Sequence, residues 1–294
     1  MRIAGGPASN GIAARLAREL GADYLEVRHK LFPDGESYVK FEGEVEGTVV
    51  IVQSLYPPQD RHLVQLLLMI EAARDLGASE VVAVVPYLAY ARQDKRFTPG
   101  EALSVKTVLR SIERAGADYF VTVDVHKRES LDQWLSIPHV DVTATEALAE
   151  YFKGKLEGPV VLAPDRGALW RAELAAEVLG CEFDYLEKRR DRETGEVKVE
   201  PKELEVRGRD VLIVDDVVST GGTIALAARA ALGMGARRVL VACTHPLLAE
   251  GALERVLSSG VEEIVATDTI PSSVSRISVA PLLAEALSEM LAQA

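Results

Sequence analysis

Asp215 and Asp216 follow four branched apolar residues, Val211 to Val214, and precede the turn Ser219-Thr220-Gly221-Gly222-Thr223. Adjacent carboxylates accept hydrogen bonds from hydroxyls, or take a cation that bridges hydroxyls, and they repel a phosphate at contact distance. The Ser/Thr/Gly turn suits the opposite partner. Its glycines permit close backbone approach, and the helix that starts there offers amide groups without internal partners, which accept an anion with help from the hydroxyls and the dipole. Acids on ring hydroxyls and a turn on phosphate describe a holder for a sugar phosphate. The structural alternative is a β–α turn with an ordinary Ser or Thr cap.

Five other segments carry side chains that packing does not explain. In Tyr87 to Arg96, which follows a buried apolar run, Arg92, Gln93, Asp94, Lys95 and Arg96 form either a solvated charged surface or a polyphosphate clamp, since arginine contacts phosphate oxygens in bidentate fashion. Asp124 and His126 stand at the exit of the strand-like run from Asp118, and Asp165 at the analogous exit of Val160 to Pro164. His126 and Asp165 could then share a Mg²⁺ held mainly by substrate phosphates and water. Glu187 to Lys198 is dense in charge and is either a solvated hairpin tip or a lid that brings Lys188 and Arg190 onto charge developing in a transition state. Leu31-Phe-Pro-Asp-Gly-Glu36 is a turn by composition, yet Phe32 beside Asp34 and Glu36 also suits a purine and its amino group.

The elements that must position these groups alternate between strand and helix. Strands are expected at Met1 to Ala4, Tyr24 to Val27, Thr48 to Ser54 and Val81 to Tyr87, and helices at Gly11 to Leu20 and His62 to Leu76. That pattern is α/β with a largely parallel sheet. The second half repeats the first: Thr48-Val-Val-Ile-Val-Gln-Ser54 aligns with Asp210-Val-Leu-Ile-Val-Asp-Asp216, and Gly77 to Val84 with Gly235 to Ala242. Two tandem copies of one domain are expected, residues 1–139 and 140–280, joined near Pro138 to Asp141. In the first copy Gln53 and Ser54 replace the acidic pair, and Leu55 to Asp60 after them has prolines that remove donors and no glycines, so its sugar-phosphate site has been lost.

Composition excludes several classes. A net charge of −12 argues against general affinity for nucleic acid or anionic membranes. The apolar runs are too short and interrupted to cross a bilayer, and Met1 to Arg15 lacks the core of a secretory signal, so a cytoplasmic protein is expected. Cys181 and Cys243 have neither metal-ligand spacing nor a disulfide framework and are expected to be buried structural thiols.

The turn at 215–223 resembles the phosphoribosyl-diphosphate loop of the phosphoribosyltransferase superfamily. Taken in order, Phe32 to Glu36, Tyr90 to Lys95, Asp124 to His126, Ala163 to Asp165, Lys188 to Arg190 and Asp215 to Thr223 resemble the ribose-phosphate diphosphokinase family. The resemblance implies two tandem phosphoribosyltransferase-type domains, with the last helix, in residues 281–294, returning to the first. It implies transfer of diphosphate from ATP to the 1-hydroxyl of ribose 5-phosphate, with Mg²⁺, in nucleotide biosynthesis. Asp215 and Asp216 would then meet the ribose hydroxyls, and Ser219, Thr220, Gly221, Gly222 and Thr223 the 5-phosphate. Arg92, Gln93, Asp94, Lys95, Arg96 and His126 would meet ATP, His126 and Asp165 the metal, and Lys188 and Arg190 would be catalytic. Phe32, Asp34 and Glu36 would hold adenine in a neighbouring subunit's site, implying a homo-oligomer. The chain departs from the family's usual pattern at Lys127 to Trp134 and at Ser219, where many members have Asp. An ordinary phosphoribosyltransferase needs only one such domain, and a regulatory protein that binds phosphoribosyl diphosphate has no need of Lys188 and Arg190.

Overall fold

The computed structural model describes residues 1–190, 197–201 and 205–292, and the side chains of all of these except 187–190 and 197–201. The chain divides into two compact units, Met1–Thr143 with Ser278–Ala294, and Ala144–Ile277.

The first unit runs β1 (Arg2–Gly5), α1 (Ile12–Glu19), β2 (Asp23–Leu25), β3 (Val27–Leu31), β4 (Ser37–Phe41), β5 (Gly47–Val52), α2 (Gln59–Asp75), β6 (Ala78–Val85), α3 (Ser104–Arg114), β7 (Tyr119–Val123), α4 (Glu129–Trp134) and β8 (His139–Val142). The second runs α5 (Thr145–Phe152), β9 (Val160–Ala163), α6 (Leu169–Leu179), β10 (Glu182–Arg190), β11 (Val197–Pro201), β12 (Asp210–Val217), α7 (Gly222–Gly233), β13 (Arg238–His245), α8 (Ala252–Leu257), β14 (Val261–Thr267) and β15 (Ser275–Ile277). The last helix, α9 (Ala280–Ala292), packs against α1 and β8 of the first unit. The stretch Pro138 to Asp141, expected to join the two halves, largely forms edge strand β8, so the division falls after Thr143.

The first sheet has the order β2-β1-β5-β6-β7-β8, all parallel. The second has β11-β10-β9-β12-β13-β14-β15, parallel except where β10 and β11 form an antiparallel hairpin. Leaving out β11, the two orders are the same once β1 is matched to β9 and β5 to β12. Register agrees residue by residue: Val49 pairs with Val81 as Val211 pairs with Val239, which makes Gln53 and Ser54 the counterparts of Asp215 and Asp216. The fold is therefore one α/β unit with a largely parallel sheet, present twice.

The central strands β5, β6 and β12 are apolar runs with Val49 to Val52, Val81 to Val85 and Val211 to Ile213 each 0% exposed, as expected of parallel strands covered on both faces. The first unit differs from the sequence reading at β3 and β4, an antiparallel ribbon outside the main sheet. Polar side chains at Arg28, His29, Lys30 and Lys40 interrupt its apolar pattern, and in it only Val27 and Phe41 are buried. Among the described residues no helix is long and apolar enough to cross a membrane.

Candidate active site

In the second unit Asp215 and Asp216 stand near the carboxyl end of β12, which continues to Val217. Parallel α/β sheets bind ligands at that edge. Each carboxylate accepts the N–H that follows it: Asp216 N–H donates to Asp215 Oδ1 and Val217 N–H to Asp216 Oδ1, both at 2.9 Å. Burial, and then the charge and hydrogen bond of Asp216, push the Asp215 carboxyl well above the usual carboxylate range. Arg171, on α6 and 4% exposed, pulls it the other way without overcoming burial. Sequence reading missed Arg171, since an arginine in a helical run gives no sign that it is buried.

After β12 the chain turns through Ser219 and Thr220 into α7. The N-cap is Gly221 at φ 75°, with no side-chain cap, so the ordinary Ser or Thr cap is not what the turn provides. No hydrogen bond among the described residues uses the N–H groups of Ser219, Thr220, Gly221, Gly222 or Thr223. Five consecutive donors, three in the turn and two in the first turn of the twelve-residue helix Gly222–Gly233, are the kind of group that accepts an anion. The pair and the turn are thus brought together, acids on the strand end and amides just beyond.

Asp165 lies at the exit of β9, exposed, with Oδ1 accepting the Gly167 N–H at 2.8 Å. His126, also exposed, lies beyond β7 in the first unit. Strand order corrects one expectation: β9 is the counterpart of β1, and β7 of β14, so these two exits are not equivalent positions. Among the described residues no three His, Cys, Asp or Glu side chains are grouped to hold a metal by themselves. Lys188 and Arg190 belong to β10 where it pairs with β11; their side chains, and residues 191–196, lie outside the described residues.

In the first unit the counterpart site is closed. Gln53 is 0% exposed; its Oε1 accepts Ala8 N–H at 2.8 Å, and its Nε2 donates to the His62 carbonyl at 3.2 Å. A Cβ on Gly6 would lie 2.4 Å from Gln53 Oε1 and 2.5 Å from Met69 Cε. Gln53 is thus tied to the protein's own backbone at the position that Asp215 holds in the second unit.

The same unit carries the basic segment. Arg92, Lys95 and Arg96 are exposed and Gln93 and Asp94 half-buried. Glu101, which sequence reading missed, organises this loop. Its carboxylate accepts Phe97 N–H at 2.6 Å, Thr98 N–H at 3.0 Å and Thr98 Oγ1 at 2.9 Å, bonds that hold it below the usual carboxylate range. Gln93 Nε2 donates to Glu101 Oε2 at 3.3 Å and Arg96 Nε to the Glu101 carbonyl at 2.8 Å. The signal was present in Thr98-Pro-Gly-Glu101, the spacing at which a glutamate reaches back to a threonine N–H.

Phe32, Asp34 and Glu36 are exposed at the tip of the β3–β4 ribbon. The tip is closed by Phe32 N–H to the Glu36 carbonyl at 2.8 Å and Glu36 N–H to Asp34 Oδ1 at 3.2 Å. Lys30 Nζ sits 4.9 Å from the Phe32 ring centroid. Beside the tip is a cleft of about 510 Å³ lined by Gly35, Glu36, Ser37, Asp60, Arg61, Val64 and Leu68. Cys243 is buried as expected, and burial pushes its thiol up; Cys181 is only half-buried.

Comparison with known proteins covers both units. Residues 1–116 match the family described as the N-terminal domain of ribose phosphate pyrophosphokinase, and residues 130–274 the phosphoribosyl transferase domain. The ribose-phosphate pyrophosphokinase of Sulfurisphaera tokodaii is 48% identical over 95% of this chain and 96% of its own. That of Methanopyrus kandleri is 46% identical with the same coverage. The crystal structure of phosphoribosylpyrophosphate synthetase from Mycobacterium smegmatis superposes with a TM-score of 0.87 at 30% identity, covering 100% of this chain and 99% of that one. An open acidic edge in one unit and a closed one in the other, in a chain matched from end to end, leave one assignment: the protein belongs to the ribose-phosphate pyrophosphokinase family.

Proposed function

We propose that the protein transfers the β,γ-diphosphate of ATP to the 1-hydroxyl of ribose 5-phosphate, yielding 5-phosphoribosyl 1-diphosphate and AMP for nucleotide biosynthesis. The observation that carries this reading is the edge of the second unit, where a carboxylate pair stands beside five amides that no hydrogen bond among the described residues uses. The acids take the ribose hydroxyls and the amides of Ser219 to Thr223 the 5-phosphate, which leaves the 1-hydroxyl free to react. Its oxygen attacks the β-phosphorus, the bond from that phosphorus to the α,β-bridging oxygen breaks towards AMP, and the hydroxyl proton is lost. Such transfer asks the protein for alignment and charge neutralisation rather than a covalent nucleophile.

Arg92, Gln93, Asp94, Lys95, Arg96 and His126 are assigned to ATP, and Lys188 and Arg190 to charge developing in the transition state. Mg²⁺ is assigned as the metal, because an ion that arrives with a polyphosphate needs only one or two protein ligands and no cage. His126 and Asp165 would hold it, and when bound it would neutralise phosphate charge. Phe32, Asp34 and Glu36, exposed on a ribbon outside the main sheet, are assigned to adenine in a neighbouring subunit of a homo-oligomer.

Incubation with ATP, ribose 5-phosphate and Mg²⁺, followed by ³¹P NMR, tests the reaction. AMP and phosphoribosyl diphosphate in equal amounts are expected; ADP as the nucleotide product would contradict the reading. In the same assay Lys188→Ala lowers kcat by at least about a hundredfold, on the scale of a lost transition-state donor, with ribose 5-phosphate binding little changed. Equal losses in both would remove its assigned role.

A further inference from the structure

The phosphate turn is shaped from behind by the segment that follows β13. Leu248 N–H donates to the Val218 carbonyl at 2.9 Å and Ala249 N–H to the Ser219 carbonyl at 3.0 Å. The next carbonyl, that of Thr220, accepts from Arg255 Nη1, while Arg255 Nη2 donates to the Glu250 carbonyl at 3.2 Å. Three successive carbonyls are therefore tied to one segment. In a trans peptide the C=O and N–H of one unit point to opposite sides. Tying the carbonyls of Val218, Ser219 and Thr220 turns the N–H groups of Ser219, Thr220 and Gly221 the other way, where no hydrogen bond among the described residues uses them. Successive N–H groups directed into one concavity bind anions.

This backing segment is held in an unusual shape. Leu248 and Glu250 have φ of 47° and 54°, a region that side chains other than glycine seldom occupy and that gathers at functional sites. It also approaches the turn without slack: a Cβ on Gly221 would lie 2.7 Å from Val256 Cγ2 and 3.1 Å from the Ala252 carbonyl oxygen.

We infer that Arg255 is a positioning residue for the 5-phosphate site, holding the Thr220 carbonyl back so that the Gly221 N–H faces the anion; this rests on the turn being the ribose 5-phosphate cradle. Of the three ties it alone is a side chain, so it alone can be removed without altering the backbone. Without it the Thr220–Gly221 peptide can rotate and present a carbonyl to the phosphate. The guanidinium also polarises the peptide it binds, which strengthens the N–H at the far end as a donor.

Calorimetric titration of the full-length chain with ribose 5-phosphate and, separately, with ATP and Mg²⁺ tests this, alongside steady-state kinetics. Arg255→Ala is expected to weaken ribose 5-phosphate about tenfold, the scale of one charge-assisted hydrogen bond. ATP affinity, and kcat at saturating sugar phosphate, should stay within about twofold. Arg255→Lys keeps one donor and should recover part of the loss. Should Arg255→Ala not fold, the lysine variant decides, because one ammonium replaces a planar fork that spans two carbonyls: weaker ribose 5-phosphate binding with ATP unchanged is expected. Ribose 5-phosphate affinity equal to wild type in the folded variants, or an equal loss for ATP, overturns the inference alone. A wild-type chain that binds no ribose 5-phosphate overturns the cradle reading and this inference with it.

Discussion

Burial and the neighbouring Asp216 raise the Asp215 carboxyl in the folded protein above its value in the unfolded chain. A group shifted this way favours the fold fully below its unfolded pKa, and that contribution is lost as pH rises through the folded pKa. Asn at this position mimics the neutral acid and can still donate to Asp216. Asp215→Asn is therefore expected to raise Tm at pH 8 by a few degrees, on the order of 1 kcal/mol, while ribose 5-phosphate binding is lost. A lower Tm at pH 8 would contradict the assigned shift. Hydroxyl donors favour the ionised pair, so sugar phosphate should bind with release of protons, seen as a calorimetric enthalpy that changes with the ionisation enthalpy of the buffer. Asp210 has the opposite sign. Burial pushes its carboxyl up, but hydrogen bonds from Arg237, Arg238 and the Glu157 N–H prevail and bring it from 3.8 to about 2. Its contribution is present above the unfolded value and fades as pH falls from 3.8 through about 2. Asp210→Asn should cost about 3 kcal/mol at pH 7, the lower end for a broken buried pair because both arginines reach solvent, and the gap to wild type in urea unfolding should shrink across that acid window. Sequence showed the acids at 215 and 216 because their neighbours are uniformly apolar. It did not show Arg237 and Arg238 beneath Asp210, since that cluster is made by strand register.

At the scale of the element, the turn between β12 and α7 distinguishes its two glycines. Gly221 has φ 75° and a Cβ there would meet Val256 Cγ2 at 2.7 Å, whereas the nearest atom to a Cβ on Gly222 is Thr220 Oγ1 at 4.0 Å. Gly221→Ala should cost about 1–3 kcal/mol through strain and overpacking, and Gly222→Ala within about 0.5 kcal/mol, as read by urea unfolding. Equal effects would contradict the close approach of α8. In the first unit Glu101→Ala releases the Phe97 and Thr98 N–H groups and should raise the KM for ATP several-fold, leaving that for ribose 5-phosphate unchanged. The elements were unequally legible. The strand and glycine turn at 211–223 could be read because every feature is local in sequence. Of the β3–β4 ribbon only the turn at Leu31 to Glu36 was legible, because its strands carry lysine, arginine and histidine where alternation should be. The backing segment was invisible: positive φ at Leu248 and Glu250 carries no glycine to announce it, and its ties to Val218, Ser219 and Thr220 are tertiary.

Across the whole molecule, one α/β plan occurs twice, and the carboxylate pair stands at the strand end of the second copy. Strand order and register make Gln53 the counterpart of Asp215, and Gln53 closes its own unit by bonding Ala8 N–H and the His62 carbonyl. The repeat was legible because aligned strands share apolar runs and glycine stops. That Gln53 is bound up within its own unit, rather than merely altered, required the side-chain geometry around it. The division into an open and a closed unit predicts a single ribose 5-phosphate per chain. A crystal structure with ribose 5-phosphate bound tests this most directly. The account predicts one sugar phosphate in each chain, its phosphate on the N–H groups of Ser219 to Thr223 and its ring hydroxyls on Asp215 and Asp216. Density for the sugar in the first unit, or anywhere away from that carboxylate pair, would contradict it.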